Sequence, residues 1–271
     1  MKPPPRSSDP GQRLPAGHVP LDRALSKLGI ATRTQARVLI AEGRVRVHGR
    51  VVHDPDLPVV PERAAVAVDG AAVQAASPRV LLLHKPRGVV TTRVDPQGRP
   101  TVYDCLQGLD AHVVPVGRLD LATSGLLLLT NDTQLANWLT DPASGVLRRY
   151  VVTVRGQVDD RTVAAWLQGV DDAGERLQAA EAAVLKRSGR ESVLRIGLTE
   201  GRTREVRRLC AATGHEVERL KRIAYGGLDL GDLAVGAWRE VTLAEVRKAF
   251  PQYRQVVGAK RTAVRQGGGV T

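Results

Sequence analysis

Two short, unbroken apolar runs, Val80-Leu81-Leu82-Leu83 and Leu126-Leu127-Leu128-Leu129, restrict this chain more than any other feature. Each is too short for a buried helix and reads as a strand of the buried type. Further strand-like stretches recur at 149–155, 182–186, 192–199 and 238–243, and helix-like ones at 133–139, 160–167 and 203–213. Strands outnumber helices and alternation is frequent. The pattern predicts an α+β domain on a mixed, mostly antiparallel sheet rather than a doubly wound parallel one.

A length of 271 residues corresponds to about two domains. With 42% hydrophobic and 25% charged residues the chain has the material for a core, which excludes wholesale disorder. No apolar run approaches the roughly 20 residues of a membrane helix, and Met1 to Pro20 lacks the apolar core of a signal peptide. Only Cys105 and Cys210 occur, far apart. A disulfide scaffold and a cysteine-built zinc site are therefore not expected, and a reducing cytoplasm is.

Forty Lys+Arg against 28 Asp+Glu leave a net charge of +12. Such an excess suits a polyanion, either nucleic acid or an acidic membrane surface, unless it merely reflects a GC-rich genome that favours Arg. At 3% the aromatics are too few for broad base-stacking platforms. Residues 1–19 read as a flexible arm, 20–70 as a small domain, 71–79 as an Ala-rich linker and 80–250 as a larger domain. Residues 251–271 read as a flexible tail; from Arg247 onward there are six Lys+Arg and no acid.

In the small domain, Leu21, Leu25 and Leu28 recur at helical spacing and Gly29 follows as a stop. Thr32 opens a second helix with Gln35 as the partner of a capping box. Residues 44–52 then alternate as two strands around His48-Gly49, and 66–70 form a third short strand and its turn. Arg33 and Arg37 lie one turn apart and face one phosphate backbone, or else a solvated helix face.

In the large domain no Gly-rich phosphate loop, His-Glu-x-x-His or paired-Cys cluster is present. What stands out is Gly117-Arg118-Leu119-Asp120-Leu121-Ala122-Thr123-Ser124-Gly125, directly before the second apolar run. An acid at the edge of a buried strand is either a reactive group or the cap of a turn.

Four ordered motifs carry a resemblance. Arg118 to Asp132, His84-Lys85-Pro86-Arg87-Gly88, Arg149-Tyr150-Val151-Val152-Thr153-Val154 and Glu200-Gly201-Arg202-Thr203-Arg204-Glu205-Val206-Arg207-Arg208 resemble the signatures of the bacterial ribosomal RNA pseudouridine synthases (the RsuA/RluB group). The segments 21–25, 32–37 and 42–49 resemble the alpha-L RNA-binding module of ribosomal protein S-four that these enzymes carry. The departures are Thr203 for the usual Asn, Glu205 for Gln, Thr-Arg-Thr-Gln for Ser-Arg-Arg-Glu in the second helix and His48-Gly49 for Asn-Gly in the turn.

The resemblance implies a pseudouridine synthase fold with no cofactor and no metal. It implies Asp120 as the carboxylate that attacks the ribose or starts glycosidic cleavage, Arg207 as its ion partner and Tyr150 under the uracil. Arg118 would fill the gap left by a flipped base, the alternative being a phosphate contact. Lys85 and Arg204 would contact RNA backbone or support the pocket, and Arg33, Arg37 and Arg44 would bind RNA. The expected partner is ribosomal RNA or an assembly intermediate, with the protein acting as a monomer and without a membrane. The Arg204-to-Arg208 form and residues 95–104 favour a large-subunit target. A small-subunit target and a non-catalytic ribosome assembly factor are the alternatives. Cys210, beside Val206 and Leu209, is expected in the core.

Overall fold

The structure, a computed structural model, describes residues 18–61, 64–73 and 77–253. The expected flexible arm at 1–19 and basic tail at 251–271 therefore lie almost wholly outside the described residues. The chain divides into two compact units between Ser77 and Pro78.

The first unit begins with β1 (Val19–Pro20), α1 (Leu21–Lys27) and α2 (Arg33–Ala41). Thr32 and Gln35 form the expected capping box at the start of α2. There follow β2 (Val45–Val47), β3 (Arg50–Val51), β4 (Pro58–Val59), β5 (Val66–Val68) and β6 (Ala71–Ala72). The strands pair as β3-β2-β5-β6, with β1 against β4. His48 and Gly49 both take positive φ, 50° and 81°, the geometry of the tight hairpin turn that matches strand twist. Leu21, Leu25, Ile40, Val45 and Val66 meet in one core. Ala71–Ala72, expected as the start of a linker, instead add β6 to this sheet.

The second unit contains β7 (Val80–Lys85), β8 (Val114–Pro115), β9 (Thr123–Thr130), α3 (Thr133–Thr140), β10 (Arg148–Arg155) and α4 (Asp160–Gln168). The hairpin β11 (Val170–Asp172) and β12 (Glu175–Leu177) precedes β13 (Glu181–Arg187), β14 (Glu191–Leu198) and α5 (Glu205–Ala211). The last elements are β15 (Val217–Tyr225), β16 (Leu228–Asp229), β17 (Trp238–Val241) and α6 (Leu243–Ala249). The main sheet runs β13-β14-β10-β15-β9-β7-β17, with β16 on β15 and β8 on β9. Every pairing in it is antiparallel except β9 with β15. The α+β class and the mixed, mostly antiparallel sheet are as the strand pattern predicts.

The two apolar runs show why this sheet needs two covering layers. Alternate side chains of a strand point to opposite faces. Leu82, Leu126 and Leu128 enter one core cluster, which includes Leu135 of α3 and Val246 of α6. Leu81, Leu83, Leu127 and Leu129 enter another, with Val102 and Val113. No helix among the described residues is long and apolar enough to cross a membrane.

Candidate active site

The parallel junction of β9 with β15 forms because Gly125 has no side chain. An added Cβ would stand 2.1 Å from the carbonyl oxygen of Arg222, and the residue takes φ +109°. This close approach pairs Leu220 with Thr123, Lys221 with Ser124 and Arg222 with Gly125. On the other side of β15, Arg222 pairs with Tyr150 of β10. The junction thus brings the loop leading into β9, and with it Asp120, beside Tyr150.

The backbone of that loop is held at five successive carbonyls. Thr91 Oγ1 donates to Leu119 O at 2.9 Å, Lys85 Nζ to Asp120 O at 3.2 Å, and the Gly88 amide to Leu121 O at 2.8 Å. Arg207 Nη2 donates to Ala122 O at 3.5 Å, and Lys85 Nζ also reaches Thr123 O at 2.9 Å. The Asp120 carboxylate, by contrast, makes no hydrogen bond or ion pair with any described side chain. It lines a cavity of about 300 Å³ with Arg118, Thr123, Tyr150, Arg204 and Arg222. A rigid loop that presents a partly buried, unpaired carboxylate to a cavity is suited to attack or proton abstraction, because no positional freedom is left to lose.

Lys85 is fully buried and gives its three donors to the carbonyls of Pro86, Asp120 and Thr123. All three N–H donors of its ammonium are thus occupied by backbone carbonyls. Burial pushes its pKa down to about 8, against the opposing pull of Cys105 and Asp120. Arg207 makes no ion pair with Asp120 within 4.0 Å. Its two terminal nitrogens go to Val217 O and Ala122 O, so it acts on the loop two residues past the acid. Burial pulls its pKa down and Arg204 adds to this, while the nearby Asp120 charge opposes both.

Arg118 is exposed and lines the cavity. Arg204 is exposed at its other wall, where its φ of 54° delays the start of α5 until Glu205. Tyr150 is half-buried against two core clusters. Arginines outnumber carboxylates in the lining: Arg118, Arg148, Arg202, Arg204 and Arg222 against Asp120, Glu200 and Glu205. The wall therefore favours a polyanion. Cys210 is wholly buried and its thiol is pushed up to about 12 by burial, which keeps it protonated and unreactive. No group of three or more His, Cys, Asp or Glu able to hold a metal ion occurs among the described residues.

Two cavity residues with unpartnered side-chain atoms received no role in the sequence reading. Arg222 is 3% exposed, with Nε donating to Leu126 O at 2.7 Å and Nη2 without a hydrogen-bond partner among the described residues. Thr123 is 1% exposed, and its hydroxyl is likewise unpartnered. Arg222 sits in a basic stretch, and Thr123 lies inside the Gly117-to-Gly125 motif where the neighbouring acid drew the reading.

The three expected RNA contacts of the first unit are tied to carboxylates. Arg33 and Arg37 both bond Asp22 Oδ2, at 2.9 and 2.8 Å, and the Asp22 side chain is fully buried. Burial would raise the Asp22 pKa, but the bonds from Arg37 and Arg33 outweigh it and hold the carboxyl below its usual range. Arg44 pairs with Asp69 at 2.7 Å and Glu42 at 3.0 Å. All three arginines stay about half exposed, so an outer edge of each guanidinium remains open to a phosphate.

Comparison with known proteins identifies the family. Residues 79–212 match the RNA pseudouridylate synthase family model, and residues 19–63 match the S4 domain model. A protein of Aquifex aeolicus named as an RNA pseudouridine synthase is 38% identical over 86% of this chain and 94% of its own. Ribosomal large subunit pseudouridine synthase B of Bacillus subtilis is 36% identical over 84% and 94%. A crystal structure of a pseudouridylate synthase superposes with a TM-score of 0.60 at 27% identity, covering 85% of this chain and 99% of the other. With the family model spanning the Asp120 loop, β10 and α5, and relatives matching nearly end to end, the chain belongs to the RNA pseudouridylate synthase family.

Proposed function

We propose that this enzyme isomerises a specific uridine to pseudouridine in large-subunit ribosomal RNA. The observation that carries the reading is the clamped loop that presents an unpaired Asp120 carboxylate to the cavity shared with Tyr150. The large-subunit target is supported by the name of the Bacillus subtilis relative.

The reaction breaks the N1–C1′ bond and leaves its electron pair on the uracil. C5 then bonds to C1′, the C5 proton departs, and N1 takes up a proton. Asp120 attacks the ribose or starts the cleavage, and its negative charge faces the positive charge that develops at C1′. Tyr150 supports the uracil face. Arg207 supplies nearby positive charge and braces the loop through Ala122. A target base in folded RNA must be flipped out at a cost of a few kcal/mol, and Arg118, two residues before the acid and exposed, takes its place. Arg204 contacts phosphate on the opposite wall. The domain division we propose is a docking module at 20–70, carrying Arg33, Arg37 and Arg44, and a catalytic domain at 80–250. The enzyme acts as a monomer in the cytoplasm.

Carbodiimide mapping of both ribosomal RNAs from cells lacking the protein tests this. One large-subunit pseudouridine is expected to vanish, to return with the wild-type gene, and to stay absent with Asp120→Asn, whose rate should fall at least about 1,000-fold. A deletion that removes no pseudouridine overturns the function, and rescue by Asp120→Asn overturns the role of the carboxylate.

A further inference from the structure

Buried polar atoms in a native fold are nearly always paired, so those left over deserve a reason. Five such side-chain atoms lack a partner among the described residues, and two of them, Thr123 Oγ1 and Arg222 Nη2, belong to residues that line the cavity beside Asp120. The register places them together. Leu220 pairs with Thr123 and Arg222 with Gly125, so both side chains emerge on one face of the sheet, with only a glycine following Thr123 on that face of β9. Tyr150 joins the same face from β10, as the partner of Arg222. Neither group is free to turn to solvent. Arg222 is pinned by its Nε bond to Leu126 O and by its guanidinium 5.0 Å from the Tyr225 ring centroid. The Thr123 carbonyl is held by Lys85.

We propose that Thr123 and Arg222 read the edge of the flipped base: Arg222 Nη2 donates to a uracil carbonyl oxygen, and the Thr123 hydroxyl accepts from the neighbouring N3–H. This rests on the reading of the cavity as a uridine site. Uracil offers two carbonyl acceptors on either side of one N–H donor, and a guanidinium can only donate while a hydroxyl can also accept. Cytosine carries an amino group and a bare ring nitrogen on that edge. Where the carbonyl read is O4, the cytosine amino group in its place would meet the guanidinium donor to donor and leave a buried group unpaired, which is how a polar pocket rejects a near-isostere. The same donor also serves the rate. When the N1–C1′ bond opens, its electron pair spreads onto the carbonyl oxygens, and a fixed buried donor stabilises that charge more than it does the intact base.

The test uses full-length protein and large-subunit ribosomal RNA transcripts, made with [5-³H]uridine or with 2-thio- or 4-thiouridine. Single-turnover tritium release gives the rate, filter binding the RNA affinity, and nucleoside chromatography the conversion of thio-substituted RNA. Arg222→Lys and the near-isosteric Thr123→Val are each expected to lower the saturated rate by about 100-fold while the apparent Kd stays within about threefold of wild type. Sulfur at one of the two carbonyl positions is expected to slow wild type by about tenfold and Arg222→Lys far less, since the bond it weakens is already gone. Rates within about threefold of wild type for Thr123→Val, rate losses matched by equal losses of RNA affinity, or equal sulfur effects in wild type and Arg222→Lys overturn the proposal. Should Arg222→Lys fail to fold, Thr123→Val decides alone. Failure of the proposal leaves wild type active and Asp120→Asn inactive. A wild type that releases no tritium overturns the function itself, and the base-reading edge with it.

Discussion

The carboxylate of Asp120 depends on Lys85, a residue that never touches substrate in this reading. Its ammonium fills three carbonyls with three N–H donors. A neutral amine has two, so deprotonation leaves one carbonyl under the loop without its donor. The rate is therefore expected to fall as pH rises through about 8, the value to which burial depresses this lysine. Stability should move the other way. The unfolded lysine holds its proton up to 10.5, so between 8 and 10.5 the unfolded state binds more protons and rising pH favours the fold. Lys85→Met should remove both trends and lower the rate at neutral pH by about tenfold, read by pH–rate profiles and melting curves. At this scale the sequence was partly legible. Asp120, Tyr150, Arg118 and Arg204 share the cavity as the motifs imply. Lys85 is buried because its donors serve the loop, and Arg207 faces carbonyls rather than the acid. Arg222 was illegible because a buried arginine inside a charged stretch looks like any solvated one until its neighbours are known.

Among the elements, β9 and β15 decide whether the site exists. Gly125→Ala would set a methyl group against the Arg222 carbonyl and force a positive φ on a residue that disfavours it. The expected result is a loss of about 2–4 kcal/mol in urea unfolding together with the activity. Wild-type stability in this variant would show that the junction opens without cost. The strands of the apolar runs could be read in advance because their leucines alternate between two cores. β15 could not: Val217 to Tyr225 carries Glu218, Arg219, Lys221 and Arg222, and its pairing with β10 shifts register twice. Charge and irregular pairing together mask the two-residue period. The start of α5 was misplaced by two residues because Arg204 adopts the left-handed conformation. In α6, the capping box of Thr242 and Glu245 was a readable start signal that lay behind the strand expected to run to Leu243.

At the scale of the molecule, the proposed docking role of the first unit is open to test. Removing residues 1–77 should weaken RNA binding and flatten its salt dependence, by roughly 0.7–0.9 in log–log slope for each phosphate that the shortened protein no longer neutralises. Filter binding across a salt series measures this, and an unchanged slope would place the docking surface elsewhere. The parallel junction has one more consequence. Arg222 and the Leu126 carbonyl that anchors it are 96 positions apart in the chain. Pairings that distant form slowly, and no hairpin-by-hairpin order of assembly produces them early. A polypeptide that ends before β15 carries Asp120 and Tyr150 but lacks both Arg222 and the strand between them, and is expected to have no activity.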